Sequence, residues 1–281
     1  MFTILRVFFK TVVGILALIG FIVVGIAAWL TTFFIWPDIT YLKTVPPKRT
    51  AFMEFRERQW ASMNQKTKLH YTWVPLAQIS PFLQDAVLIS EDDKFWQHYG
   101  FDLAGIQEAL EKNMRSGKVR AGGSTITQQL AKNLFLSPEK TATRKLKEAL
   151  LTLRLERELG KKRILELYLN VAEWGPGIFG AEEAARLYYG KHASQLAPEE
   201  SCRLAAALPN PIRFSPISSS RYLDARAKVI LSVMQKRDKG LSIWQDLHNS
   251  SSSEAETENE APPFIPALPG GPDAEDAPSG Q

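Results

Sequence analysis

Positions 11–36 are apolar or uncharged without a break, and beyond them apolar residues recur at every third or fourth place. The first pattern predicts a helix that is apolar on every side. At about 1.5 Å rise per residue, its 26 residues exceed the ~30 Å of hydrocarbon in a bilayer and leave room for tilt. A secretory signal peptide has a shorter apolar core, roughly 7–15 residues, and a small-x-small cleavage site. The run therefore reads as an uncleaved transmembrane anchor. Arg6 and Lys10 precede it and place residues 1–10 in the cytoplasm, with Trp29 and Trp36 nearer the far interface. The body from residue 37 on then lies outside.

The second pattern predicts about eight helices between Ser80 and Lys239: 80–100, 102–117, 124–135, 137–160, 161–175, 180–191, 197–211 and 221–240. Ser-Pro pairs open the first and fourth, and glycines close several of them. Strand-like alternation is scarce, so residues 37–245 read as one mainly α domain, with no distinct element assigned to 37–79. Residues 246–281 differ in kind. Rich in serine, acid, proline and glycine, they hold too little apolar surface to offset the entropy of ordering, and they read as a disordered tail.

Charge and cysteine content narrow the picture. The run from Asn249 holds seven acids and no Lys or Arg, which leaves +11 on the rest of a chain whose net charge is +4. A basic body beside a membrane suits anionic partners, and its outward position argues against nucleic acid. Cys202 is the only cysteine, so no intrachain disulfide can form. No Cys/His grouping has the spacing of a structural metal site.

Candidate chemistry gathers in two stretches. In "ISEDDKFWQHYG" (89–100), Glu91, Phe95 and His98 fall at i, i+4 and i+7 and share one face if the stretch is helical. An acid beside aromatic surface can have its pKa raised toward a range useful for proton transfer. In "GGSTITQQLAKN" (122–133), Ser124, Gln128 and Lys132 stand four apart behind a Gly-Gly turn, where unpaired backbone amides suit an anion. A serine N-cap on an amphipathic helix accounts for Ser124 equally well, but leaves Gln128 unexplained. Lys140, Arg144 and Glu148 are also four apart. On its own an Arg–Glu pair at that spacing is common surface decoration, worth about 0.3–0.5 kcal/mol.

Taken in order, "EDDKFWQHYGFD" (91–102), "GGSTITQQLAKN" (122–133), "RKLKEAL" (144–150), "ILELYLN" (164–170) and "AARLYYGK" (184–191) resemble the signature blocks of the peptidoglycan glycosyltransferases. "LPNPIRFSP" (208–216) resembles the closing segment of that group, and the likeness runs from about residue 40 to 240. With only the tail after it, the chain resembles the monofunctional biosynthetic members, which lack a transpeptidase domain. The resemblance implies a mainly α, lysozyme-like fold of two lobes behind a single N-terminal transmembrane helix, on the outer, periplasmic face of the inner membrane. It implies lipid II and the growing glycan strand as substrates, with inversion at the donor anomeric carbon and release of polyprenyl diphosphate. Glu91 matches the catalytic base and Glu148 the second essential carboxylate. Asp92, Phe95, His98, Ser124, Thr125, Gln128, Gln129, Lys132, Lys140 and Arg144 become the candidate substrate-binding residues. The blocks carry no metal ligand and imply no required cofactor, while leaving room for a divalent cation, Mg or Mn, at the departing diphosphate. Other cell-wall synthesis or division proteins are the further partners implied. Tyr189 stands where phenylalanine is frequent in the family.

Two rivals stay open on these residues. A wall-cleaving muramidase or lytic transglycosylase could use the same two carboxylates, but needs no cationic site for a diphosphate. A silent glycan-binding scaffold needs neither Glu91 nor Glu148.

Overall fold

The structure is a computed structural model that describes residues 2–35, 37–65, 67–116, 123–139 and 141–238. Trp36, Lys140 and the predicted tail 246–281 lie outside the described residues, as does the side chain of Trp29. The chain divides into two units after residue 235. The first is mainly helical, as the periodicity predicts.

Helix α1 spans Phe2–Ile35. Its segment Arg6–Ala28 is long and apolar enough to cross a membrane and buries nothing against the rest of the protein. A 3₁₀ turn at Thr40–Lys43 follows, and then α2, Ala51–Ser62. The 37–79 stretch is thus more ordered than its pattern predicts. Helix α2 was hard to read because only Met53 and Trp60 on it are buried, too few to draw an apolar stripe. The turn belongs to the core, with Ile39 and Leu42 at 1% and 0% exposure. Polar contacts tie it down as well: Arg154 Nη2 donates to Pro37 O at 2.8 Å and Arg163 Nε to Leu42 O at 2.7 Å.

Helix α3, Pro81–Glu91, starts on the proline, whose missing N–H costs nothing in a first turn. It packs Leu83, Ala86, Val87 and Leu88 inward and lies against α9, Pro198–Ala207. The predicted helix 80–100 ends nine residues early, because residues 92–100 form turns that close at Gly100. Gly100 has φ +80°, and a Cβ there would sit 2.8 Å from Thr152 Cγ2. Only glycine fits that conformation and that gap.

Helix α4 covers Leu103–Ser116. Helix α5, Ile126–Phe135, is central: it packs against α2, α6 (Ala142–Glu158) and α7 (Lys161–Val171). The predicted start of α6 at Ser137 is wrong by four residues, since Thr141 is the N-cap and accepts from Arg144 N. After α7 the prediction fails again. Glu173–Gly175 is β2, not helix, and it pairs antiparallel with β3, Ile178–Phe179, which in turn pairs parallel with β1, His70–Tyr71. The β2–β3 register is irregular between Glu173 and Gly175. Helix α8, Ala181–Tyr189, ends on Gly190 in the left-handed conformation, and a last helix, α10, begins at residue 221 and runs to 238.

Candidate active site

Glu91 is the last residue of α3, and the turn after it aims the neighbouring side chains in different directions. Asp92 turns inward. Its Oδ2 accepts from Ile126 N at 2.9 Å, at the first turn of α5, and its Oδ1 lies 2.8 Å from His98 Nε2. An acid at a helix N-terminus is stabilised by the amides and the helix dipole. Asp92 thereby fastens the end of α3 to the start of α5. Phe95 is fully buried, with Lys161 Nζ 4.4 Å from its ring centroid. With the stretch non-helical, Glu91, Phe95 and His98 do not form the predicted common face. His98 meets Asp92, and Phe95 joins the core.

The start of α5 also differs from its sequence reading. The N-cap is Thr125, not Ser124: its Oγ1 accepts from Gln128 N while Gln128 Oε1 accepts from Thr125 N, a reciprocal capping box. Gln128, unexplained by a serine cap, is explained by this one. Thr125 Oγ1 also donates to Gly100 O at 2.7 Å. Ser124 is left exposed.

Two cavities meet at Glu91 and Ser124. One, about 230 Å³, lies toward α4 and is walled by Asp92, Asp102, Ile106 and Thr125. The other, about 410 Å³, is walled by Phe52 and Arg56 of α2, Gln129, Lys132 and Asn133 of α5, Tyr168 of α7, Glu173 and the 208–212 segment. The Glu91 side chain is only 11% exposed at this junction. Gln129 Nε2 donates to Glu91 Oε2 at 2.9 Å, and Tyr168 Oη donates to Gln129 Oε1 at 3.0 Å. On the opposite side Ser90 Oγ donates to Glu91 Oε1 at 3.3 Å, and Arg226 Nη2 stands 3.7 Å from the same oxygen. Burial raises the Glu91 pKa above the ordinary carboxylate range, against the pull of Gln129, Arg226, Ser90 and Lys132.

A cationic group lies within electrostatic reach of Lys132, which lines the larger cavity. On α6, Glu148 is 3% exposed and both of its oxygens are taken, Oε2 by Arg144 Nη1 at 2.5 Å and Oε1 by Lys145 Nζ. The pair is therefore no surface decoration. Lys132 lies within electrostatic reach of all three. Burial holds its ammonium below the usual lysine range, and Arg144 and Lys145 push the same way, while Glu148 and Glu91 oppose them. Among the described residues the Lys132 ammonium has no hydrogen-bond partner, although its backbone carbonyl accepts from Leu136 N.

A family model described as Transglycosylase matches residues 57–235. The chain belongs to the transglycosylase family. The transglycosylase is 48% identical over 218 residues to the biosynthetic peptidoglycan transglycosylase of Laribacter hongkongensis, covering 76% of this chain and 96% of that one. It is 51% identical over 194 residues to the protein of the same description from Nitrosomonas eutropha, covering 69% and 80%. For the Azoarcus sp. protein of that description the identity is 52% over 180 residues, covering 64% and 78%.

Sequence reasoning missed several groups around this transglycosylase's site: Tyr168, Arg226, Ser90, Lys145, Arg56 and Glu173. Tyr168 left a trace, since a tyrosine on the apolar face of α7 needs a partner for its hydroxyl. So did Glu173, an acid inside "NVAEWG". Arg226 left none, because it lies 135 residues from Glu91 on a helix that shows no other sign of chemistry.

Proposed function

We propose that this peptidoglycan glycosyltransferase polymerises lipid II into glycan strands. Glu91 takes the proton from the 4-hydroxyl of the acceptor sugar as that oxygen attacks the donor's anomeric carbon. The C1–O bond to the diphosphate breaks from the opposite face, so the carbon inverts and polyprenyl diphosphate leaves. One observation carries this reading: a nearly buried carboxylate of raised pKa sits where two cavities meet, and the larger cavity is lined by Lys132, within electrostatic reach of the Arg144–Lys145–Glu148 cluster. A positioned base contributes roughly 10²–10⁴-fold to attack by a weak nucleophile. Fixed cations stabilise the charge that grows on the leaving diphosphate. Glu148, with both oxygens engaged, acts in this scheme by holding Arg144 and Lys145 in place. A cleaving enzyme has no use for such a cluster.

The donor set does not fit a divalent cation at this position. Among the described residues no group of three or more His, Cys, Asp or Glu could hold one, and the free charge near Glu148 is positive. No step is routed through a metal. In the same proposal α1 anchors the enzyme in the inner membrane with its N-terminus inside, and a reporter fused after residue 245 is then found on the outer side. Replacing Arg6 and Lys10 by acids disturbs that orientation.

The test is purified full-length protein with labelled lipid II in detergent. Polymer is expected, and Glu91→Gln should bind lipid II within a few-fold of the parent while making none. Near-normal turnover by that variant removes Glu91 from the base role. Fragments from preformed glycan would indicate cleavage, and no change would indicate a scaffold.

A further inference from the structure

Glu173 is a buried acid in the wall of the larger cavity that the mechanism above does not use. Its side chain is 4% exposed. Oε2 accepts from Arg56 Nε at 3.0 Å and from Arg56 Nη2 at 2.7 Å, while Oε1 is buried with no hydrogen-bond partner among the described residues. A carboxylate oxygen out of water and without a donor is costly, and such an orphan asks what satisfies it. Arg56 alone does not, because its fork closes on one oxygen only. The rest of its guanidinium is committed, with Nη1 donating to Gln59 Oε1 at 2.7 Å and the group standing 5.1 Å from the Phe52 ring centroid. The β2–β3 register is irregular at Glu173, the kind of irregularity that often stands beside binding sites. Burial also raises the Glu173 pKa, with Arg56 and Lys132 opposing.

A cation is a poor candidate for the orphan oxygen, since Arg56 and Lys132 already supply positive charge around it. A neutral N–H or O–H donor satisfies the oxygen without adding charge. We propose that Glu173, held by Arg56, is a recognition residue for the hexosamine bound in the larger cavity, its carboxylate turning to bring Oε1 to the cavity and accept a hydrogen bond from one sugar hydroxyl or acetamido N–H. The inference rests on the lipid II reading above, and it adds a residue that discriminates between sugars. In this proposal Glu173 takes no part in the proton transfer, so its bond is made in substrate binding more than in bond breaking.

The experiment pairs Glu173→Gln with a panel of lipid II analogues, each lacking a single sugar O–H or N–H donor. In the Gln variant the amide oxygen still accepts from Arg56, but an N–H₂ group now faces the donor. Lipid II KM should rise roughly 10- to 100-fold, the loss of a hydrogen bond to a charged group, with kcat and Tm little changed. One analogue should lose affinity with the parent enzyme and lose no more with Glu173→Gln, because the two changes delete the same bond. Glu173→Asp serves as a second variant, expected to keep the charge and to lose less than Gln. If every analogue loses the same factor in both proteins, or if KM stays at the parent value, Glu173 is only the anchor of Arg56 and the inference is overturned. Failure of the parent enzyme to polymerise lipid II at all would instead strike the functional reading.

Discussion

Adjacent acids can have opposite tasks, and Glu91 and Asp92 show how. Asp92 has both oxygens engaged within the fold, whereas Glu91 keeps a place on two cavities and a raised pKa. The type of residue was readable in the sequence, but the division of labour was not, since it depends on where α3 stops. Arg226 supplies a direct test at this scale. Glu91 must be ionised to accept a proton, so activity falls as pH drops through its pKa. The Arg226 charge favours the ionised form and lowers that pKa. Arg226→Met should therefore move the acid limb of kcat/KM to higher pH, with activity recovered on the alkaline side. An unmoved limb, or one displaced to lower pH, would show that Arg226 does not set the base.

The helix termini matter more than the helix bodies at the scale of elements. Periodicity located eight helices, yet several of their ends were misplaced, because a cap or a turn rather than the apolar stripe sets the boundary. Ser-Pro at 137–138 looked like a start, and the start lies at Thr141. Gln128 stood unexplained beside a serine cap, and its structural part appears only once Thr125 is seen to cap the helix. Thr125→Ala should cost about 1 kcal/mol of stability through the lost cap, within the usual ~0.5–2 kcal/mol range, and additionally free the Gly100 carbonyl. Thermal unfolding would measure it, and an unchanged Tm would refute the capping role. On α6, Glu148→Gln releases the charged hold on Arg144 and Lys145. We expect kcat/KM for polymerisation to fall at least as far as in Arg144→Ala, roughly 10- to 100-fold. Lys147→Ala is the control one position before Glu148 and should retain activity. Equal losses in all three would assign α6 a purely structural part.

Across the whole molecule, composition marks off the long apolar N-terminal helix and periodicity marks off the helical body after it. The sequence pattern placed residues 37–79 in the body but assigned them no element, because a 3₁₀ turn and a weakly amphipathic α2 carry no clear period. That detail governs how a water-soluble form of the enzyme can be made. The family match starts at residue 57, which invites a cut there. Such a cut removes Ile39, Leu42 and Met53 from the interior, together with Phe52 and Arg56 from the cavity wall. Each lost large apolar group costs about 2–5 kcal/mol, against a typical total stability of about 5–15 kcal/mol. A chain beginning at Glu57 should be insoluble or unfolded, whereas one beginning at Pro37 should give a cooperative melt and keep the Arg154 anchor to its first carbonyl. The usable boundary for crystallisation or inhibitor screening is therefore set by Ile39 and Leu42, 18 and 15 residues before the family match begins.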